Sequence, residues 1–498
     1  MHLHDLPAEL LGEILEAAND PNDLRALVAA SPNCLRVFNL FRDRILLSVC
    51  LNAVEPEARP AALAIGHVPY IRSYDDLPQQ RAFLDEFFGK KTVFDPPSKS
   101  MDIASFCGLV CRVVYLVDDY SASAWRLLQS NADKAGSSLS PLSTSSPSET
   151  PSEAPLDTPS EIPCLMLSRA ERAAFQRGFF LFELFARTFT AYRHSLSERV
   201  IGDEAQCSFF LSRVQPWELE AMGCVFLYYQ QVIYRHIRLV EDNFVQWVME
   251  APSLFRLPTS DRPSPQEIRE QAEKDKAVGR PSTDVQEKLA DGDWKFFYKL
   301  DYELHSIDLF TTSRREIYEV TGLFSLLTSL RSLYVYRLMQ SDDDPAARVK
   351  LVVGADLNFG VGSFFDVAAH LARAQNPSLR GGTIDNRDNN TSGAGFALFR
   401  PSEELDFEDG VEDDRALNCA LRERAYVFWD AERLKDAKTA GSLWQARDLP
   451  LEETRQRYNN YFGPSVQERL HDIGIHHKDA YPLFTKISGT SLYSDLYS

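Results

Sequence analysis

Phenylalanine recurs at three- and four-residue steps along one segment, and this spacing limits the fold of the chain more than any other feature. The period is followed by Phe175, Phe179, Phe182, Phe185 (or Ala186) and Phe189. Ser168 and Glu171 precede them with the spacing of a capping box, in which each side chain bonds the other residue's backbone N–H. The segment predicts a long helix that begins near Ser168 and is covered on most of its sides.

Other segments with a helical period predict that the whole chain is mainly α-helical. A second strong helix is predicted from Pro216 toward Trp247, and apolar helical patterns return between Tyr318 and Leu338. Residues 102–117 leave two alternatives open. They fit a buried helix, but their valine-rich end fits a β-strand equally well.

The length of 498 residues exceeds the size at which a single core stops growing, about 250–300 residues. We therefore expect a small unit followed by a large, irregular helical body. The predicted parts are an N-terminal helical unit (1–50), a helical segment (51–134), a Ser/Thr/Pro-rich disordered linker (135–163), a helical body (164–462) with polar loops near 252–293 and 380–414, and an irregular tail (463–498).

The charge balance disfavours two classes of partner. A formal net charge of −19 repels both the phosphates of nucleic acids and anionic membrane surfaces, so neither is expected to bind. Residues 1–9 lack the pattern of a signal peptide, and residues 175–189 are too short and too charged to span a bilayer. The eight cysteines are sparse and fit reduced, buried thiols. We expect a cytoplasmic or nuclear protein.

The first fifty residues contain three short amphipathic segments. Pro7 suits the first position of a helix, because its missing N–H would be unpaired there. Asn22 or Asp23 can cap a second helix, and Ser31-Pro32 marks the start of a third, which is expected to run on through Val49. The apolar residues of the first two segments share one face per helix: Leu10, Leu11, Ile14, Leu15, then Leu24 and Leu27.

This N-terminal unit resembles the F-box. The matching residues are Leu6-Pro7, Glu9, Leu10, Ile14, Leu15, Leu24, Leu27, Ala30-Ser31 and Phe38. The resemblance implies a substrate-recognition subunit that docks on a Skp-family adaptor of a cullin–RING ubiquitin ligase and presents an unknown target protein. The residues expected to face the adaptor are Leu6, Pro7, Leu10, Leu11, Ile14, Leu15, Leu24 and Leu27. The alternative is a helical scaffold or interaction protein that packs the same apolar stripe into its own core.

Three later segments resemble an uncharacterised group of fungal proteins with an F-box-like start. These segments are Leu167 to Phe189, Gln215 to Tyr229 and Ala425 to Asp430. The group implies an all-helical body and no known chemistry. In the third segment we expect Tyr426 to Trp429 to form the core side of an amphipathic stretch.

The sequence contains no complete catalytic or metal-binding motif. Cys107 and Cys111 lie one helical turn apart, but no second pair at zinc-finger spacing accompanies them, so buried thiols are favoured. The glycines at 354, 360 and 362 match no nucleotide-binding motif. The histidines and carboxylates between 471 and 479 match no compact metal motif. We predict no enzyme activity, no cofactor and no metal.

Overall fold

A computed structural model describes residues 6–69, 77–89, 94–137, 165–189, 207–250, 274, 331–341, 364–376, 378, 394–401 and 416–461. Of these residues 82% are helical and none lies in a β-strand, which confirms the mainly α prediction. Residues 102–117 are helical, which decides between the two alternatives. The predicted linker from residue 138 onward, the tail, and most of the two polar loops lie outside the described residues.

The helices are numbered in chain order. Their bounds are α1 (Ala8–Glu16), α2 (Pro21–Ala30), α3 (Pro32–Leu40), α4 (Arg42–Ala53), α5 (Arg59–Ala64), α6 (Leu77–Gly89), α7 (Ser100–Ser137), α8 (Arg169–Phe189), α9 (Pro216–Glu250), α10 (Arg331–Met339), α11 (Phe364–Gln375), α12 (Ala437–Arg447) and α13 (Leu451–Tyr461). Residues 416–423 are also helical.

The chain divides into two compact units. The first contains residues 1–228, 329–333 and 363–455, and the second contains residues 229–328, 334–362 and 456–498. In the first unit α4 and α12 pack against α7, α7 packs against α8, and α5 packs against α8. In the second unit the described residues are 229–250, 274, 334–341 and 456–461. All of them are helical except residues 340 and 341, which form a turn.

Prolines set the helix starts near the N-terminus, although two predicted starts are shifted. The first helix begins at Ala8, and Pro7 is its extended cap residue. Asp20, not Asn22 or Asp23, caps α2 by accepting a hydrogen bond from the Asn22 N–H at 2.6 Å. Pro21 explains this correction, because a residue without an N–H suits the first helical position and leaves the cap to its predecessor. Phe41 separates α3 from α4, so the predicted third helix is two helices.

The phenylalanine-rich helix α8 forms the centre of the first unit, as its period predicts. The capping box is present: the Ser168 N–H donates to the Glu171 carboxylate at 3.0 Å, and the Glu171 N–H donates to the Ser168 hydroxyl at 3.2 Å. The Phe175 ring stacks on that of Phe428 with a centroid distance of 4.2 Å. Aromatic packing between distant parts of the sequence therefore holds this unit together.

The segment that contains Tyr426 differs from an amphipathic stretch with a single core side. Ala425 adopts the left-handed backbone conformation with φ of 51°, and a short 3₁₀ turn over Tyr426–Phe428 follows it. All four residues from Tyr426 to Trp429 are buried. The left-handed residue interrupts the helical period, so neighbouring side chains can enter the core in different directions.

Candidate docking site

Helix α1 presents apolar side chains on two adjacent sides. Leu11 and Leu15 are buried, whereas Leu10 is 45% exposed and Ile14 is 40% exposed. Pro7 and Ala17 are also exposed, and they continue the same line at three- and four-residue steps. We call Pro7, Leu10, Ile14 and Ala17 the outer face of α1.

The inner side of α1 belongs to the core of the four N-terminal helices. That core consists of Leu11, Leu15, Leu24, Cys34, Val37, Ile45 and Val49. Leu6 and Leu27 are partly buried against it. Of the eight residues predicted to face an adaptor, Leu11, Leu15 and Leu24 therefore lie in the protein's own core, and Pro7, Leu10 and Ile14 are exposed. The helical period could not separate these two groups, because Leu10, Leu11, Ile14 and Leu15 form one wide stripe.

Helix α4 holds the end of α1 in place. The Asn52 side-chain amide donates hydrogen bonds to the carbonyls of Glu16 at 2.8 Å and Ala18 at 3.2 Å. The Arg44 guanidinium forms an ion pair with the Glu16 carboxylate at 2.6 Å. These contacts satisfy backbone carbonyls that a helix end leaves unpaired, and they keep the outer face directed away from α4.

The N-terminal helices are joined to the rest of the first unit by polar contacts. The Gln176 side chain donates to the Ala53 carbonyl at 2.8 Å and accepts from the Glu55 N–H at 2.7 Å. The Cys107 thiol donates to the Leu46 carbonyl at 3.5 Å. Together with the packing of α4 on α7, these contacts attach α4 to the rest of the first unit.

A groove with a volume of about 520 Å³ lies between α2, α3, α4 and α7. Its apolar lining includes Leu24, Val28, Leu35, Phe38, Leu46 and Val49, and Arg25 also borders it. Three thiols, those of Cys50, Cys107 and Cys111, line the same groove. Sequence analysis missed the groove, because residues 107 and 111 reach it only through the packing of α7 on α4.

The three thiols interact with one another, and this shifts their pKa values in opposite directions. The pKa of Cys50 is raised because its thiol is a hydrogen-bond partner of Cys107 and Cys111 and is itself buried. The pKa values of Cys107 and Cys111 are lowered, chiefly by the hydrogen bond from Cys50. For Cys111 the positive charge of Arg112 acts in the same direction. The prediction of buried thiols holds for Cys107 but is wrong for Cys111, which is exposed.

Buried charges elsewhere in the first unit are paired. The Glu220 carboxylate accepts hydrogen bonds from Arg422 at 2.7 and 3.0 Å and from Arg373 at 2.8 Å. The Glu171 carboxylate accepts from Arg433 at 2.5 and 2.7 Å. Such pairing is typical of structural ion pairs. Within the described ranges, no group of three or more His, Cys, Asp or Glu side chains is placed to hold a metal ion.

Comparison with protein-family models, with curated proteins and with solved structures finds no match to this chain.

Among the described helices, Ser100–Gln129 of α7 is long and apolar enough to cross a membrane by length and composition. The residues that the sequence predicts to be too short and too charged to span a bilayer, 175–189, lie in a different helix, α8. A core helix passes the same test, and α7 packs against α4, α8 and α12. Within the structure 44% of its most apolar stretch is buried.

Proposed function

We propose that the chain is an F-box-like substrate receptor, and that the outer face of α1 docks on a Skp-family adaptor of a cullin–RING ubiquitin ligase. One observation carries the proposal: Leu10 and Ile14 are apolar and exposed, and the core of the N-terminal helices is complete without them. Exposed apolar residues at helical spacing are suited to a groove on a partner.

The other described helices of the first unit suit the presentation of a target. Their contacts with the N-terminal helices include the packing of α4 on α7 and the hydrogen bonds of Gln176 with Ala53 and Glu55, and none of these involves Leu10 or Ile14. The chemistry of ubiquitin transfer would then belong to the ligase, and the role of this chain would be binding.

Co-purification with a Skp-family adaptor tests the proposal. The full chain is co-expressed with the adaptor and captured through a tag. We expect the wild-type chain to bring the adaptor with it and the Leu10→Asp/Ile14→Asp variant to lose it, because two carboxylates on the outer face would have to be desolvated. A folded wild-type chain that never captures the adaptor contradicts the proposal.

Leu40→Asp is the matched control for this experiment. Leu40 is 67% exposed on α3 and outside the outer face of α1. The Leu40→Asp variant should capture the adaptor as the wild type does. Loss of capture in both variants would mean that added charge, and not the outer face, prevents binding.

The second candidate is a helical scaffold in which the N-terminal helices serve only the protein's own core. The packing of α4 on α7 and the hydrogen bonds of Gln176 favour it. Adaptor capture separates the candidates, because Leu10 and Ile14 are exposed in both. A docking face predicts capture that Leu10→Asp/Ile14→Asp abolishes, and a scaffold predicts a folded wild-type chain that captures no adaptor.

A further inference from the structure

Three thiols from two helices meet in the groove between α2, α3, α4 and α7. Cys50 comes from the end of α4, and Cys107 and Cys111 come from neighbouring turns of α7. The pKa of Cys50 is raised by its interaction with both other thiols. Three thiols that two helices bring to one groove are not needed for the proposed docking function.

The three thiols differ in their access to solvent. Cys111 is exposed, and Cys50 and Cys107 are buried. An exposed thiol beside a buried one is the arrangement of an attacking and a resolving cysteine.

We propose that Cys111 and Cys50 form a hydroperoxide-sensitive dithiol, which closes to a disulfide between α7 and α4. The Cys111 thiolate attacks one oxygen of hydrogen peroxide: an S–O bond forms, the O–O bond breaks, and the leaving hydroxide takes up a proton to become water. The Cys50 sulfur then attacks the Cys111 sulfur: an S–S bond forms, the S–O bond breaks, and the departing hydroxyl group takes up the Cys50 proton to leave as a second water. Two thiols lose two electrons, and one peroxide becomes two waters.

The lowered pKa of Cys111 supports this order of events, since the thiolate is the nucleophile. The raised pKa of Cys50 disfavours its thiolate, so Cys50 is not the thiol that reacts first with peroxide. The disulfide would connect the last N-terminal helix covalently to α7 and would change the lining of the groove. A thiol reductant such as glutathione would reverse it by exchange.

Peptide mass spectrometry of the full chain tests the proposal. The reduced protein is treated with hydrogen peroxide, remaining thiols are blocked with N-ethylmaleimide, and the protein is digested without reductant. Trypsin leaves Cys107 and Cys111 on one peptide, residues 100–112, so fragment ions must assign the linked sulfur. We expect a Cys50–Cys111 link within one chain that dithiothreitol removes. A Cys50–Cys107 link, a link between chains, or over-oxidation of Cys111 without any link overturns the proposal.

Three serine variants make the assignment independent of folding defects. Cys111→Ser changes an exposed residue and should abolish the linked peptide, whereas Cys107→Ser should retain it. Cys50→Ser should leave Cys111 as a sulfenic acid that dimedone traps. Cys34, which is buried in the core of the same N-terminal helices, should stay reduced throughout. A link that persists in Cys111→Ser would contradict the proposal.

Discussion

At Gly395 the absence of a single methyl group allows two backbone segments to pack. A Cβ atom on this residue would lie 1.8 Å from the Tyr426 carbonyl oxygen and 2.7 Å from its carbon. The neighbouring Ala425 already adopts a left-handed conformation to turn the chain. Gly395 lies in the polar loop predicted near residues 380–414, and the partner of such a glycine could not be known before the fold.

Gly395→Ala is therefore expected to destabilise the first unit. Backbone atoms have to move to make room, and overpacking of this kind costs about 1–3 kcal/mol. The free energy of unfolding in urea measures the effect. Gly441→Ala is the matched control: its Cβ would meet nothing within 4 Å and would lie in helix α12, where alanine is favoured by about 0.5–1 kcal/mol. Equal stability of the two variants would contradict the close contact.

Glu220 is the buried charge whose removal is expected to lower the free energy of unfolding most. Its carboxylate is buried and holds the guanidinium groups of Arg373 and Arg422. We expect Glu220→Gln to cost about 3–5 kcal/mol in urea denaturation, because two buried cations would lose their counter-charge. Glu432→Gln removes a solvent-exposed pair with Lys435 and should cost less than about 1 kcal/mol. A similar small loss in both variants would show that the buried network is not structural.

The first helix shows how far an element can be predicted from sequence. The positions of the helix and of its apolar stripe follow from the period of Leu10, Leu11, Ile14 and Leu15 and from Pro7. The period does not tell which part of the stripe faces the core. That division depends on Val37, Ile45 and Val49, which α3 and α4 bring to one side of α1.

Alanine substitutions on the two sides of α1 test this division. Leu15→Ala should reduce the free energy of unfolding by about 2–5 kcal/mol, because it leaves a cavity in the core of the N-terminal helices. Leu10→Ala should change it by less than about 0.5 kcal/mol, because the side chain is half exposed. Urea denaturation of the full chain compares both variants with the wild type, and a larger loss for Leu10→Ala would reverse the assignment of the faces.

At the scale of the whole molecule, local patterns predicted the helical fold but not the sites formed by distant residues. The capping box of Ser168 and Glu171 and the phenylalanine period were sufficient to place α8. The groove and its thiols required the packing of α7 on α4, which joins Cys50 to Cys107 and Cys111 across more than fifty positions. No pattern in the sequence specifies such a long-range pairing.

The central claim is that the outer face of α1 is free for a partner, whereas the inner side of α1 and helix α4 are packed within the first unit. Amide hydrogen exchange of the full chain, with and without saturating Skp-family adaptor, tests it directly. The account predicts slower exchange in peptides covering residues 8–16 upon binding, and unchanged exchange in peptides of α8. Unchanged exchange in residues 8–16 despite a bound adaptor would contradict the account.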